Sequence, residues 1–404
     1  MSTETFGSAL RRLRGNLSTR DVARLANVGK SYISALENDD QRLPSHQIIA
    51  SLDSALKANG ELLAFTEKER GARQTEALDL GERTTEDVSD VLRRIHKMNK
   101  AVAPEVIRQL RGNLQRIVSR YERFDHSDLV PALLDQRSWL DELIGECNHP
   151  RERQQLFEIA SGTSGLLGYI AVGRGKFPLA RAYCAEAFQL GDFAQDSNLQ
   201  AWARGLQSFC EYYAQDYDEA LRLAMDGLGH AKFGPQSVRL TVNCMARAMG
   251  KLGDVEGVHR AVGEAYELMS RNDVPPGLPS SITFECYSAA QTASNAATAY
   301  VSLEIPEKVQ KYVDLALPDI NSSDSPWSRS LVMIDSAVSM IISKEADMER
   351  ASALVLDALS ISANRPIISI QQRAMEFIRD ASQRWGEVRQ VAEIRQAVST
   401  REIR

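Results

Sequence analysis

The sequence predicts an all-α protein: a five-helix head over residues 1–66, a charged linker with one helix over 67–103, and an α-solenoid of helical hairpins over 104–404. Three observations carry this. Apolar residues recur at three- and four-residue steps from Phe6 to Leu63, with capping residues between the runs. No convincing strand signal follows residue 105. Five later segments also align with one another without gaps.

In the head, Phe6, Ala9, Leu10 and Leu13 make one face of a first helix. Ser18 is placed to cap a second, which carries Val22, Leu25 and Ala26. Asn27 tolerates the left-handed conformation that ends a helix, Val28 fills the angle, and Gly29 sits at the next N-cap. A third helix follows from about Lys30 to Asn38, with Ile33, Leu36 and Glu37 turned inward and Lys30, Ser31, Tyr32, Ser34 and Ala35 available outside. Ser45 caps a fourth helix bearing Ile48, Ile49, Leu52, Ala55 and Leu56. Asn59 and Gly60 then break the chain before a fifth with Leu62, Leu63 and Phe65.

Residues 18 to 37, STRDVARLANVGKSYISALE, resemble the Xre family of helix-turn-helix repressors, the lambda-repressor type. The resemblance covers residues 5 to 65. It implies a DNA-binding domain whose second motif helix enters the major groove. Lys30, Ser31, Tyr32, Ser34 and Ala35 would then face base edges, Lys30 opposite guanine first of all, while Thr19 and Arg20 meet phosphate. It also implies a buried ion pair between Arg12 and Glu37. Charge agrees: between residues 5 and 36, five arginines and Lys30 face a single acid, Asp21.

The net charge of the whole chain is −6, so basic character is local to the head. The first residues lack an apolar h-region and no uninterrupted apolar run is long enough for a bilayer, so a cytoplasmic protein without membrane contact is expected. Cys147, Cys184, Cys210, Cys244 and Cys286 stand singly and read as small buried hydrophobes.

Residues 66 to 86 are charged and poor in large apolar groups. The stripe Val88, Val91, Leu92, Ile95 and Met98 then returns at helical spacing, suited to a dimer contact or to packing on the next domain. Beyond it, the aligned segments begin at GKFPLARAYCAEAF, QDYDEALRLAMDGL, GDVEGVHRAVGEAY, EIPEKVQKYVDLAL and ADMERASALVLDAL. Each places a small or branched residue (Ala180, Ala220, Val258, Val309, Ala351) three positions after its first apolar residue or proline, and another small one seven further on. Small residues there let paired helices cross closely. The pattern is similar to the tetratricopeptide repeat, stretched to intervals of 38 to 51 residues. Two further pairs are expected from about 105 to 147 and one from about 370 to 400. A proline-rich insert, Asn272 to Ser280, explains the longest interval.

In such arrays the first helix of each pair lines the concave face. Gln200, Arg204 and Ser208, then Arg239, Asn243 and Arg247, then Tyr287, Gln291 and Asn295 each share a face at four-residue spacing. Side-chain amides match a peptide backbone and arginine can hold a carboxylate, so Arg204, Arg239, Asn243, Arg247, Tyr287, Gln291 and Asn295 are the candidate ligand contacts; a plain solvated helix face is the alternative. The glycine-dense stretch 161–176 is no phosphate loop, because Lys176 is followed by Phe177 and no strand precedes it. Gly162, Gly165 and Gly168 serve close packing or loosen a helix that moves. Six histidines lack ligand spacing, and no catalytic motif is visible, so neither a metal, a cofactor nor an enzyme is expected.

The joint architecture resembles the peptide-pheromone regulators of Gram-positive bacteria, the RRNPP group. The resemblance implies a quorum-sensing transcription regulator: a homodimer on a two-half-site double-stranded DNA operator, switched by a short peptide, or by a small molecule in the same groove. The alternative is a DNA-tethered scaffold whose repeats bind a protein partner.

Overall fold

The computed structural model describes residues 4–38, 44, 46–64, 88–89, 91–93, 102–124 and 126–400. Every regular element among them is helical. The chain divides into two compact units, Met1–Thr84 and Thr85–Arg404.

In the first unit, α1 (Phe6–Arg14), α2 (Thr19–Leu25), α3 (Lys30–Glu37) and α4 (His46–Leu56) precede a helical turn at 61–64. Helices α1 and α2 both open with reciprocal capping boxes, Thr5 with Ser8 and Ser18 with Asp21, which satisfy amides that no intrahelical carbonyl can reach. Asn27 takes the left-handed conformation, φ 54°, and Gly29 caps α3. Phe6, Leu10, Val22, Ile33, Leu36, Ile49, Leu52 and Leu62 close over one core. Asp53 is 7% exposed and accepts from the Gly60 amide at 2.8 Å and the Leu62 amide at 3.0 Å, tying α4 to the turn after it. Ser45 and Phe65 lie outside the described residues.

The expected Arg12–Glu37 pair does not form. Glu37 is bridged by Arg14, whose Nε and Nη2 lie 2.5 and 3.2 Å from its two carboxylate oxygens, with Arg11 Nε at 3.7 Å. Helical geometry is the reason: Arg14 stands one turn beyond buried Leu10 and therefore on the face that meets α3. Arg12 points elsewhere and pairs with Glu4 and Glu61 on the surface.

The second unit begins with α5 (Pro104–Arg120), α6 (His126–Glu146), α7 (Pro150–Gly173), α8 (Phe177–Phe193), α9 (Ser197–Tyr213) and α10 (Tyr217–Ala231). Next comes α11, which is α-helical at Gln236–Arg239, π-helical at Leu240–Ala246 and α-helical again at Arg247–Lys251. Then follow α12 (Val255–Met269), α13 (Ala289–Ser302), α14 (Pro306–Ser322), α15 (Pro326–Ile342), α16 (Met348–Ile361), α17 (Ile368–Trp385) and α18 (Arg389–Ser399).

The aligned residues Phe177, Tyr217, Val255, Pro306 and Met348 each start the second helix of a hairpin. Ala180, Ala220, Val258, Val309 and Ala351 are fully buried, as are Ala187, Ala265, Ala316 and Ala358 seven residues on. At the remaining such position, Gly227, an added Cβ would meet Leu240 and Arg204 side-chain atoms at 2.8 and 2.9 Å, so the crossing there admits no side chain. The repeat is thus a packing code: small residues are confined to the points where two helices touch.

The stretch 105–147 holds one hairpin, α5 and α6, rather than two, because these helices run to 17 and 21 residues. The expected hairpin at the end is α17 and α18. Helix α7 is continuous, and its glycines serve packing: an added Cβ at Gly162, Gly165 or Gly168 would overlap Leu114, Trp202 or Cys184 respectively. Helix α7 is also apolar and long enough by composition to span a bilayer, more so than the sequence reading allowed; 78% of that stretch is buried inside the protein.

Much of the linker lies outside the described residues, Ile95 and Met98 included. Leu92 is buried in the core shared with α5 to α7, and Arg93 pairs with Asp135 of α6 at 2.5 Å. The described part of the stripe therefore packs on the repeat unit, while Val91 is exposed.

Candidate functional site

Two regions bring candidate residues together. The first is the start of α3. Lys30 and Ser31 are exposed there, whereas Tyr32, Ser34 and Ala35 are half-buried. Glu37 and Leu36, on the opposite side, are anchored in the core, which fixes the rotation of the helix. On α2, Arg20 is exposed and Thr19 half-buried beside the Ser18 cap. The first turn of α3 carries no acid, so its positive dipole end and Lys30 stand unopposed there.

The second region is a cavity of about 740 Å³, open mouth included, on the inner side of the repeat unit. Its walls come mainly from the first helices of successive hairpins: Tyr169 of α7, Phe209 and Tyr213 of α9, Asn243 and Arg247 of α11, Asn295 and Thr298 of α13, Asp335 of α15 and Arg373 of α17.

A polar network runs across this cavity. Arg247 donates to Asn243 Oδ1 at 2.6 Å and to the Tyr213 hydroxyl at 2.9 Å, and Asn243 Nδ2 donates to the Tyr287 hydroxyl at 2.9 Å. Tyr287 donates in turn to the Ser281 carbonyl at 3.0 Å. Asp335 Oδ1 accepts from Arg373 at 2.7 Å, and its Oδ2 accepts from the Thr298 hydroxyl at 2.7 Å, linking α13, α15 and α17. Burial pushes the Asp335 carboxyl above its ordinary range against the pull of Arg373. Burial also raises the Tyr213 hydroxyl, but Arg247 and Arg373 outweigh it and hold the phenol below its usual value. The Glu122 carboxyl, on the rim, is raised by burial although the Ser325 hydroxyl donates to it at 2.6 Å.

Residues 5–65 match the family model of the helix-turn-helix domain. The N-terminal unit is a helix-turn-helix domain. No curated protein matches the chain as a whole. Among solved structures, the crystal structure of aspartyl phosphate phosphatase F from Bacillus subtilis superposes with a TM-score of 0.50 at 11% identity, covering 99% of this chain and 94% of that one. That likeness is one of fold alone.

Of the seven candidate ligand contacts, Asn243, Arg247, Tyr287, Gln291 and Asn295 line the cavity, and Arg204 and Arg239 do not. Arg204 stands between α8 and α10, over the Phe188 ring of the one and paired with Asp226 of the other. Arg239 is 1% exposed and lies 6.0 Å from the Tyr287 ring. Gln291 reaches the wall, but its amide is occupied: its Oε1 accepts from the Ser288 amide and its Nε2 donates to the Pro279 carbonyl at 3.0 Å. Tyr287 belongs to no helix, since Ser288 caps α13 after it.

The insert also does more than space two hairpins. Its continuation carries Leu278, Ser281 and Tyr287 to the cavity wall, and the Ile282 carbonyl accepts from Trp202 Nε1 at 3.2 Å. Proline and glycine content reveals such a segment as rigid but not where it lies. Tyr169, Phe209 and Thr298 went unread although a signal existed: with Arg247 they stand eleven residues before Ala180, Ala220, Val309 and Val258. Equivalent places in four repeats thus face one cavity.

Proposed function

We propose that the chain is a ligand-responsive, sequence-specific transcription regulator of Xre type, acting as a cytoplasmic homodimer. Its helix-turn-helix head reads an operator, and its tetratricopeptide-like repeats hold an effector in the cavity on their inner side. The observation that carries the reading is the coexistence in one chain of an unopposed Lys30 at the exposed start of α3 and a cavity to which six hairpins contribute side chains from their first helices. In this reading Lys30 and Ser31 meet base edges, Tyr32, Ser34 and Ala35 shape the contact, and Thr19 and Arg20 hold phosphate. The effector is a short peptide or a small polar molecule, for which Asn295 supplies an amide and Asn243 and Arg247 exchange bonds they make with each other and with Tyr287 and Tyr213 for bonds to the ligand. A peptide effector agrees with the resemblance of the joint architecture to the RRNPP regulators. No enzymatic step is assigned to the cavity.

Selection of duplexes from a random pool by the full-length protein, followed by titration at several salt concentrations, tests the head. Lys30→Ala is expected to lower affinity for the selected site by about 1–3 kcal/mol while affinity for unrelated duplex falls less. Equal losses on both would remove Lys30 from base reading, and no enrichment at all would remove the regulator reading.

A further inference from the structure

Arg247 is 3% exposed, and its guanidinium donates to Asn243 Oδ1 and the Tyr213 hydroxyl, with the Tyr212 ring 4.2 Å from its Cζ; no carboxylate bonds it. Its Nε is buried without a partner. Arg239 is 1% exposed, and both Nε and Nη1 lack partners. The acid deepest in the cavity is already committed, since Asp335 bonds Arg373 and Thr298. Among the described residues, then, two buried guanidinium groups have no carboxylate of their own. Burying a cation without a counter-charge is unfavourable, and cores that need only stability use apolar side chains in such places.

The backbone explains why the two charges share this region. They flank the π-helical stretch Leu240–Ala246, with Asn243 at its centre. A four-residue step overshoots one α-turn and falls short of one wider π-turn. A helix that is α at its ends and π between them therefore keeps 239, 243 and 247 close to one line. Wide turns of this kind recur at functional sites. Tyr287 stands beside one end and the middle of that line, its ring 6.0 Å from Arg239 and its hydroxyl on Asn243.

We propose that the ligand of this cavity is anionic, and that Arg247 receives its oxyanion group, a carboxylate or a phosphate, with the charge of Arg239 behind it. This rests on the reading of the cavity as an effector site and adds the chemical class of the effector. Bound there, the oxyanion takes the Arg247 Nε and supplies the negative charge that the surrounding tyrosines and asparagine do not. Arg239 acts through the field it adds rather than by contact.

The test is the melting midpoint of the full-length protein in inorganic phosphate or in tricarballylate, each against sodium chloride at equal ionic strength. At least one of the two anions is expected to raise the midpoint by about 2 °C or more beyond the chloride control, and the better one distinguishes phosphate from carboxylate. Arg247→Met is expected to melt about 1–3 °C higher than the wild type without anion, because an uncompensated charge is gone, and to lose the anion-specific rise. Arg247→Lys keeps a charge without the fork and should retain a reduced rise. The proposal is overturned if neither anion exceeds chloride, or if the rise persists undiminished in the Arg247 variants. Sequence-selective duplex binding by the wild-type chain, measured alongside, separates the two readings: its absence defeats the regulator reading and leaves the anion result standing.

Discussion

Replacing Arg14 by Ala removes the fork that joins α1 to α3, and with it the contact that fixes how α3 is presented. Two nitrogen–oxygen contacts of 2.5 and 3.2 Å are lost from Glu37, a carboxylate whose side chain is only 6% exposed. Hydrogen bonds to a charged group contribute about 1.5–3 kcal/mol in such settings. The side chain of Arg14 is itself 21% exposed, and Arg11 remains at 3.7 Å from Glu37, so the lower end applies, about 1.5 kcal/mol. That corresponds to roughly tenfold faster opening. The chain has two units and need not unfold in one step, so the assay is native-state hydrogen exchange followed by mass spectrometry on peptides spanning α1 and α3. Arg12→Ala is the control: its partners Glu4 and Glu61 are on the surface, and exchange should stay at the wild-type rate. An Arg12→Ala effect equal to or larger than that of Arg14→Ala would refute the assignment of the buried pair.

Other expectations concern the repeat unit. Gly165→Ala drives a methyl group into the Trp202 ring and should cost about 1–3 kcal/mol, read as a lower melting midpoint. Asp335→Asn keeps an oxygen for Arg373 and turns an NH2 toward Thr298, whose hydroxyl can donate instead to the Ser294 carbonyl at 3.1 Å; with the charge opposite Arg373 removed, the anion-specific rise in melting midpoint should grow, and a smaller rise would contradict the charge inventory of the cavity. Glu122→Gln tests the pH dependence. The folded carboxyl is raised above 4.5 by burial, so the stability tied to its protonation is present below 4.5 and is lost as pH rises through the folded value. The amide should therefore stabilise the protein at pH 7, and its advantage should shrink as pH falls toward 4.5. A difference that does not vary with pH would reject burial as the cause.

Where the sequence was legible, it was so because the relevant physics is local. The Ser18 cap, the left-handed Asn27 and the small residues at helix crossings depend on a few neighbours in the chain, as does the unread capping box at Thr5. Partner choice was less legible. Arg11, Arg12 and Arg14 are chemically alike, and only the rotation of α1 about its own axis decides which one reaches Glu37. The cavity was legible where four-residue spacing placed Asn243, Arg247 and Asn295 on inner helices. It was not legible at Asp335 and Arg373, which meet across helices 38 residues apart in sequence, nor in the insert, whose path depends on Trp202 more than 70 residues upstream.

The division of labour among the helices gives the cavity its meaning. Second helices of the hairpins place small or branched apolar residues at the crossings, a solution that yields dense packing and asks nothing of polar chemistry. First helices bury alanines as well, Ala246, Ala296 and Ala374 among them, but also carry the polar residues that line the cavity, and in α11 the regular α-helical ladder gives way to a π-turn around Asn243. A repeat unit needing only stability would extend the alanine solution to the inner side, since Arg247 and Arg239 add buried charge without a counter-ion among the described residues. Their placement is therefore accounted for by what occupies the cavity rather than by the fold. If Arg247→Met proved less stable than the wild type in the absence of anion, that argument would fail at its root, because the guanidinium would then belong to the packing.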